Sequence, residues 1–126
     1  MLERRKNIRA KKNIPLKLAD TAFDIITETV DISSSGIYCR ATRNLEPMSK
    51  IEVVLLVPGK DHDSPTKRIK CKGVVVRSEP TIIKDSDRAH YNIAIFFTDI
   101  SKKDQRIAEE YIASGTTDPA EIQISG

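Results

Sequence analysis

The sequence predicts an all-β domain, a six-stranded antiparallel β-barrel with one C-terminal helix. Three observations lead there. Apolar and polar residues alternate in short runs separated by turn chemistry. Aromatic residues make up only 5% of the chain and Trp is absent, so the core must be built from Ile, Val and Leu, as β-rich domains favour. The one stretch with helical spacing comes after all of the strand-like runs. Six strands joined by turns, with no helix between them, pair antiparallel, and closure into a barrel removes the sheet edges. At 126 residues there is room for a single core.

Residues 1–12 lack apolar periodicity and read as an exposed arm. Pro15 opens the first strand, where a missing amide donor matters least, with Ile14, Leu16 and Leu18 inward and Lys17 outward. Residues 25–32 form the second run, expected to carry Ile26, Val30 and Ile32 on one face and Thr27 and Thr29 on the other. Ser33-Ser34-Ser35-Gly36 breaks it, with Gly36 expected to supply a positive φ. A third strand covers 36–41. After the turn chemistry of Asn44-Leu45-Glu46-Pro47, a fourth covers 50–57 and ends at Pro58-Gly59. Residues 60–66 are a polar loop, 67–77 a fifth strand, 78–89 a second loop and 90–98 the last strand.

Ser101 opens the helix, with Asp104 three residues on in a capping-box arrangement. Ile107, Ala108, Tyr111 and Ile112 make one apolar stripe, and Gly115 is the expected C-cap. Such a helix should lie across the barrel or plug one end. The expected organisation is therefore an arm at 1–12, a barrel with its helix at 13–114, and a flexible tail at 115–126.

Charge is unevenly placed. Residues 1–12 hold Arg4, Arg5, Lys6, Arg9, Lys11 and Lys12 against Glu3 alone, a net +5. The whole chain is formally +3, so the remainder sums to −2. Basicity concentrated in the arm points to an anionic partner met at one place. The longest apolar run, residues 53–57, is far too short to cross a membrane, and the charged N-terminus has no secretory apolar region. The expected location is the cytoplasm, with no membrane insertion. Cys39 and Cys71 are then expected to be free thiols acting as small hydrophobes.

Enzyme signatures are missing. The five glycines form neither a GxGxxG nor a phosphate-binding loop. His62, within Asp61-His62-Asp63, and His90 have no Cys or Glu at ligand spacing, so no metal site is expected. No cofactor is called for.

Two motifs remain. The arm contains Arg5-Lys6-Asn7-Ile8-Arg9, an RxxxR preceded directly by Arg4. The strand–turn contains Asp31-Ile32-Ser33-Ser34-Ser35-Gly36, a DxSxxG. Either alone reads as ordinary: a solvated basic tail, or a β-turn whose Asp and Ser bond local backbone. Their order and separation, with Gly73-Val74-Val75-Val76-Arg77 and the closing run from Asn92 to Ser101, resemble the PilZ domain, a bacterial receptor family for cyclic di-GMP. The resemblance covers residues 3–114 and departs at Ala94, where the family usually carries Gly and where a packing position is expected.

The resemblance implies a ligand with two phosphates and two guanine faces, held by Arg4, Arg5, Arg9, Asp31, Ser33 and Gly36. An arginine fork can bond phosphate oxygens in pairs, meet guanine O6 and N7, or stack on the purine. Asp31 suits a guanine N–H edge, Ser33 a phosphate or base, and Gly36 leaves room for the ligand. Arg4, just before the pair, bears on whether one nucleotide or a stacked dimer binds. The signal would be an ordering of the arm that presents a new surface to an unidentified protein partner. Two other readings compete: a nucleic-acid-binding barrel, disfavoured because no aromatic platform is evident on the strands, and a PilZ-like adaptor that binds only protein, disfavoured because both motifs are intact.

Overall fold

Alternation of inward aliphatic and outward polar residues dictates the architecture of the computed structural model, which describes residues 9–59, 63–84 and 86–116. Six strands form: β1 (Pro15–Ala19), β2 (Asp24–Ile32), β3 (Gly36–Ala41), β4 (Lys50–Val57), β5 (Lys67–Thr81) and β6 (His90–Asp99), followed by α1 (Lys102–Thr116). They close into an antiparallel barrel in the order β1-β2-β3-β6-β5-β4. Each inner face contributes aliphatic side chains to one core, among them Ile14, Leu16, Leu18, Ile37, Val53, Leu55, Ile69, Val75 and Ile93. Ala108 and Ile112 of α1 belong to the same core, and Ile107 and Tyr111 pack against it. The stripe expected on the helix is thus the face that it buries.

The pairing registers place the start of β1, the end of β2, the start of β3, the end of β6, the start of β5 and the end of β4 at one end of the barrel. The arm enters there and α1 leaves there. Ser101 caps α1: its Oγ accepts from the Asp104 amide at 3.1 Å and its carbonyl from the Gln105 amide at 2.9 Å. The Asp104 carboxylate in turn accepts the Lys70 amide of β5 at 3.3 Å, tying the helix start to the barrel.

Three local expectations are corrected. β5 runs to Thr81 rather than 77, because Ser78 to Thr81 still pair with Ile93 to His90 of β6. Pro80 is tolerated within it, since pairing with β4 stops at Val74 and leaves that side of β5 without a ladder partner. The helix passes through Gly115 to Thr116, two residues beyond the expected boundary at 114. In β2 the expected facing fails at two positions, Ile26 being 81% exposed and Thr29 fully buried, while Ile32 is inward as expected. Opposite residues share a face, and Ile25 and Thr27 stand opposite the buried Leu18 and Leu16. Pairing with β1 therefore overrides the apolar preference of Ile26.

Cys39 and Cys71 are free and buried. Burial pushes the Cys39 thiol from an ordinary 9.0 to about 12. Cys71 also rises to about 12, through burial and then the nearby Asp104 and Asp99 carboxylates. Both folded values lie above the unfolded one, so this contribution to stability is complete below pH 9.0 and is lost as pH rises toward about 12. A thiol reagent at about pH 8 is expected to leave both cysteines unmodified in the native protein and to label both in denaturant. The alkaline decline of the unfolding midpoint should be shallower in Cys39→Val.

Candidate functional site

The site is organised around an irregularity in β2. In a regular strand, inward Thr29 would be followed by outward Val30, inward Asp31 and outward Ile32. The β2–β3 register instead shifts between Thr29 and Asp31. Asp31 then stands opposite Tyr38 on the outer face, and Ile32 opposite Ile37 in the core. A bulge re-aims a side chain in just this way. It lets one strand place Thr29 inside and Asp31 outside.

Thr29 anchors the root of the arm. Its amide donates to the Ile14 carbonyl at 3.0 Å, and its Oγ1 accepts the Ile14 amide at 3.1 Å. The same hydroxyl donates to the Lys12 carbonyl at 2.5 Å, while Asn13 Nδ2 donates to the Thr29 carbonyl at 2.8 Å. Farther out, Ala10 and Ile32 exchange backbone hydrogen bonds of 2.9 and 3.0 Å, and Ala10 is buried. The expectation of an exposed arm through residue 12 is corrected at Ala10, which is buried and pairs with β2, and at Lys12, whose carbonyl is held by the Thr29 hydroxyl. Arg9 and Lys11 are exposed as expected.

That docking delivers Arg9 to Asp31. Arg9 Nη1 donates to Asp31 Oδ1 at 2.5 Å, with the side chains 48% and 21% exposed. One residue of each motif, 22 positions apart, meets here in a half-exposed ion pair. Arg4 and Arg5 lie outside the described residues.

Ser33 and Gly36 build the turn. Ser33 is fully buried, and its Oγ accepts the Ser35 and Gly36 amides, each at 3.2 Å. Its amide donates to the Gly36 carbonyl at 2.9 Å. Gly36 does not adopt the expected positive φ, which no described glycine shows. A Cβ at Gly36 would lie 2.2 Å from the Ile95 carbonyl oxygen, so glycine permits β3 to approach β6. Space for the neighbouring strand is the demand at this position.

The registers also join Asp31 to residues that sequence reasoning did not select. Asp31 pairs with Tyr38, Tyr38 with Ala94, and Ala94 with Arg77, a row across the outer faces of β2, β3, β6 and β5. A second register shift, between Val75 and Arg77, turns Arg77 outward; there its Nη1 lies 3.9 Å from Glu79. Ala94, flanked by buried Ile93 and Ile95, belongs to this outer row rather than to core packing. Alternation after Gly36 could have pointed to Tyr38, and the GVVVR run to Arg77. Nothing in the periodicity marked Thr29. His90 Nε2 instead bonds Ser86 Oγ at 2.8 Å, and His62 lies outside the described residues.

A closed six-stranded barrel thus carries on its outer face, beside a serine-glycine turn, an arginine and a carboxylate in contact. The family model for the PilZ domain matches residues 3–114, and the chain belongs to that family. Solved structures share the fold at low identity. The inhibitor of motility MotI/DgrA of Bacillus subtilis superposes with a TM-score of 0.72 at 18% identity, over 92% of this chain and 52% of that one. The PilZ domain of YcgR from Escherichia coli, solved with c-di-GMP, gives 0.71 at 10% identity, over 98% and 99%. MrkH of K. pneumonia gives 0.71 at 16% identity, over 97% and 51%. This chain thus spans about half the length of the MotI and MrkH chains. A search of curated protein sequences finds no match.

Thr29→Val keeps the shape but strands the buried Ile14 amide, and should cost about 1–3 kcal/mol in urea unfolding. Gly36→Ala, forced against backbone, should cost at least about 1–3 kcal/mol by the same measurement.

Proposed function

We propose that this protein is a cytoplasmic receptor for cyclic di-GMP, which it binds and releases without transforming. The observation that supports this reading best is the Arg9–Asp31 contact, where the arm motif and the turn motif meet on one outer face. Each group is the complement of one part of the ligand. The Arg9 fork can exchange Asp31 for phosphate oxygens or for guanine O6 and N7. Asp31, released, can accept the N–H edge of guanine. One half-exposed ion pair is thereby replaced by two sets of charge-assisted hydrogen bonds.

Arg4 and Arg5 would add phosphate contacts and guanine stacking from the arm, with Arg4 favouring a second, stacked nucleotide. Tyr38, Ala94 and Arg77 extend the receiving surface beyond Asp31. Ser33, its hydroxyl engaged by the turn, and Gly36, closed against Ile95, act by holding that surface in shape. The backbone pairing of Ala10 fixes the pivot, so a response to ligand would involve the residues before it. Closing them over the ligand would present an altered surface to a protein partner.

Calorimetric titration with cyclic di-GMP, GTP and a short oligonucleotide tests the reading. Binding to the first alone is expected, with the stoichiometry reporting on Arg4. Preference for the oligonucleotide would favour a nucleic-acid barrel, and no binding to any would favour a protein adaptor. Arg9→Ala and Asp31→Ala should each weaken cyclic di-GMP binding by about 1–3 kcal/mol. If neither moves affinity by more than a few tenths of that unit, the site lies elsewhere.

A further inference from the structure

The near-neutral sum of charge outside the arm conceals a second basic feature. Lys67 and Arg68 at the start of β5, with Lys103 and Arg106 of α1, line a groove of about 590 Å3 together with Asp104, Ile107 and Glu110. The four cations are exposed. The ion pairs between described residues are Arg9–Asp31, Lys17–Asp24 and Arg77–Glu79, and none involves the groove. Asp104 and Glu110 reduce the formal charge of the groove lining from +4 to +2 without forming an ion pair with any of its cations among the described residues.

Helix stability does not account for this arrangement. The N-terminal end of a helix carries the positive end of its dipole and favours acidic side chains. Here Asp104 is the acid of the first turn, but Lys102, Lys103 and Arg106 crowd that half as well, while the last turn has no basic residue. Two strands of barrel, β6 and β3, separate the groove on β5 from β2, which carries Asp31. It opens at the barrel end where the arm also enters.

We propose that this groove docks an acidic segment of a partner protein. Its charge pattern selects that occupant. Four cations with no ion-pair partner among the described residues call for anions, and the Asp104 and Glu110 carboxylates between them favour a chain whose negative charges are spaced and interspersed with N–H donors over a continuous phosphate backbone. A polypeptide brings carboxylates for the cations and backbone N–H groups for Glu110. No aromatic ring lines the groove to stack a base, and its cations face a concavity rather than a flat lipid surface. The inference stands apart from the nucleotide reading, since none of these residues belongs to the Arg9–Asp31 row.

Fluorescence anisotropy with a short fluorescein-labelled Glu-rich peptide provides the test, with the full chain as binder. The arm is also basic, so two charge variants are compared. Lys103→Glu/Arg106→Glu should weaken peptide binding on the order of tenfold or more, while Arg4→Gln/Arg5→Gln/Arg9→Gln should change it by no more than about twofold. Lys67→Gln/Arg68→Gln, on a different element, should weaken it in the same direction. Thermal unfolding midpoints of the groove variants should not fall below that of the parent, and their cyclic di-GMP titrations should match it. The proposal is overturned if the arm variant alone loses the peptide, or if none of the variants does. It is equally overturned if a single-stranded oligonucleotide or phosphatidylserine vesicles bind through the groove cations and the peptide does not.

Discussion

Everything at the candidate site depends on the extra residue in β2. Because side chains alternate with a period of two, Thr29 and Asp31 should share a face. The bulge at Val30 separates them, giving the barrel interior a hydroxyl and the exterior a carboxylate. Both consequences are needed. Thr29 inside satisfies the backbone where the arm joins β1, and without it the buried Ile14 amide would have no side-chain acceptor. Asp31 outside faces the arginine which that anchoring delivers. A regular strand would bury a carboxylate and expose Ile32, at a cost in desolvation that an unpaired charge could not recover.

The same device recurs on β5, where the shift between Val75 and Arg77 turns an arginine onto the outer face in register with Ala94. Bulges on two strands thus aim charged residues at opposite ends of one row, with Tyr38 and Ala94 between them. The strands supply rigid placement through paired backbone, and the bulges supply direction. Close packing sets the third condition. β3 can lie against β6 at the turn only because residue 36 has no Cβ, so the DxSxxG spacing joins two different demands: a charge facing solvent and a backbone facing backbone. Ser33 lies between the two and spends its hydroxyl on the turn.

Charge follows a similar logic of placement over sum. The arm holds a surplus of cations, but four more gather where β5 meets α1, and the body balances them with acids of which only Asp104 and Glu110 share that groove. A formal total near neutrality therefore says little about the fields that a partner would meet. Residues 9–12, the turn and the start of α1 all lie at one end of the barrel. The residues that bear on binding are consequently closer together than their positions in the chain imply.

The amino-acid sequence by itself determined the strand count, the terminal helix with its Ser101 cap and apolar stripe, and the aliphatic core. These follow from local periodicity and turn chemistry, which operate over a few residues. It also marked the two motifs, since Arg9 and Asp31 carry side chains whose chemistry is recognisable anywhere. Tertiary structure alone decided which way those side chains face. Ile26 lost its expected inward place to pairing with β1, Thr29 gained one, and Gly36 proved necessary for Ile95 rather than for a positive φ. Tyr38, Ala94 and Arg77 became neighbours of Asp31 only through register across four strands. The physical reason is common to all of them. A strand's facing is set by its hydrogen-bonded neighbours, and a single bulged residue, indistinguishable from any valine in the sequence, reverses it.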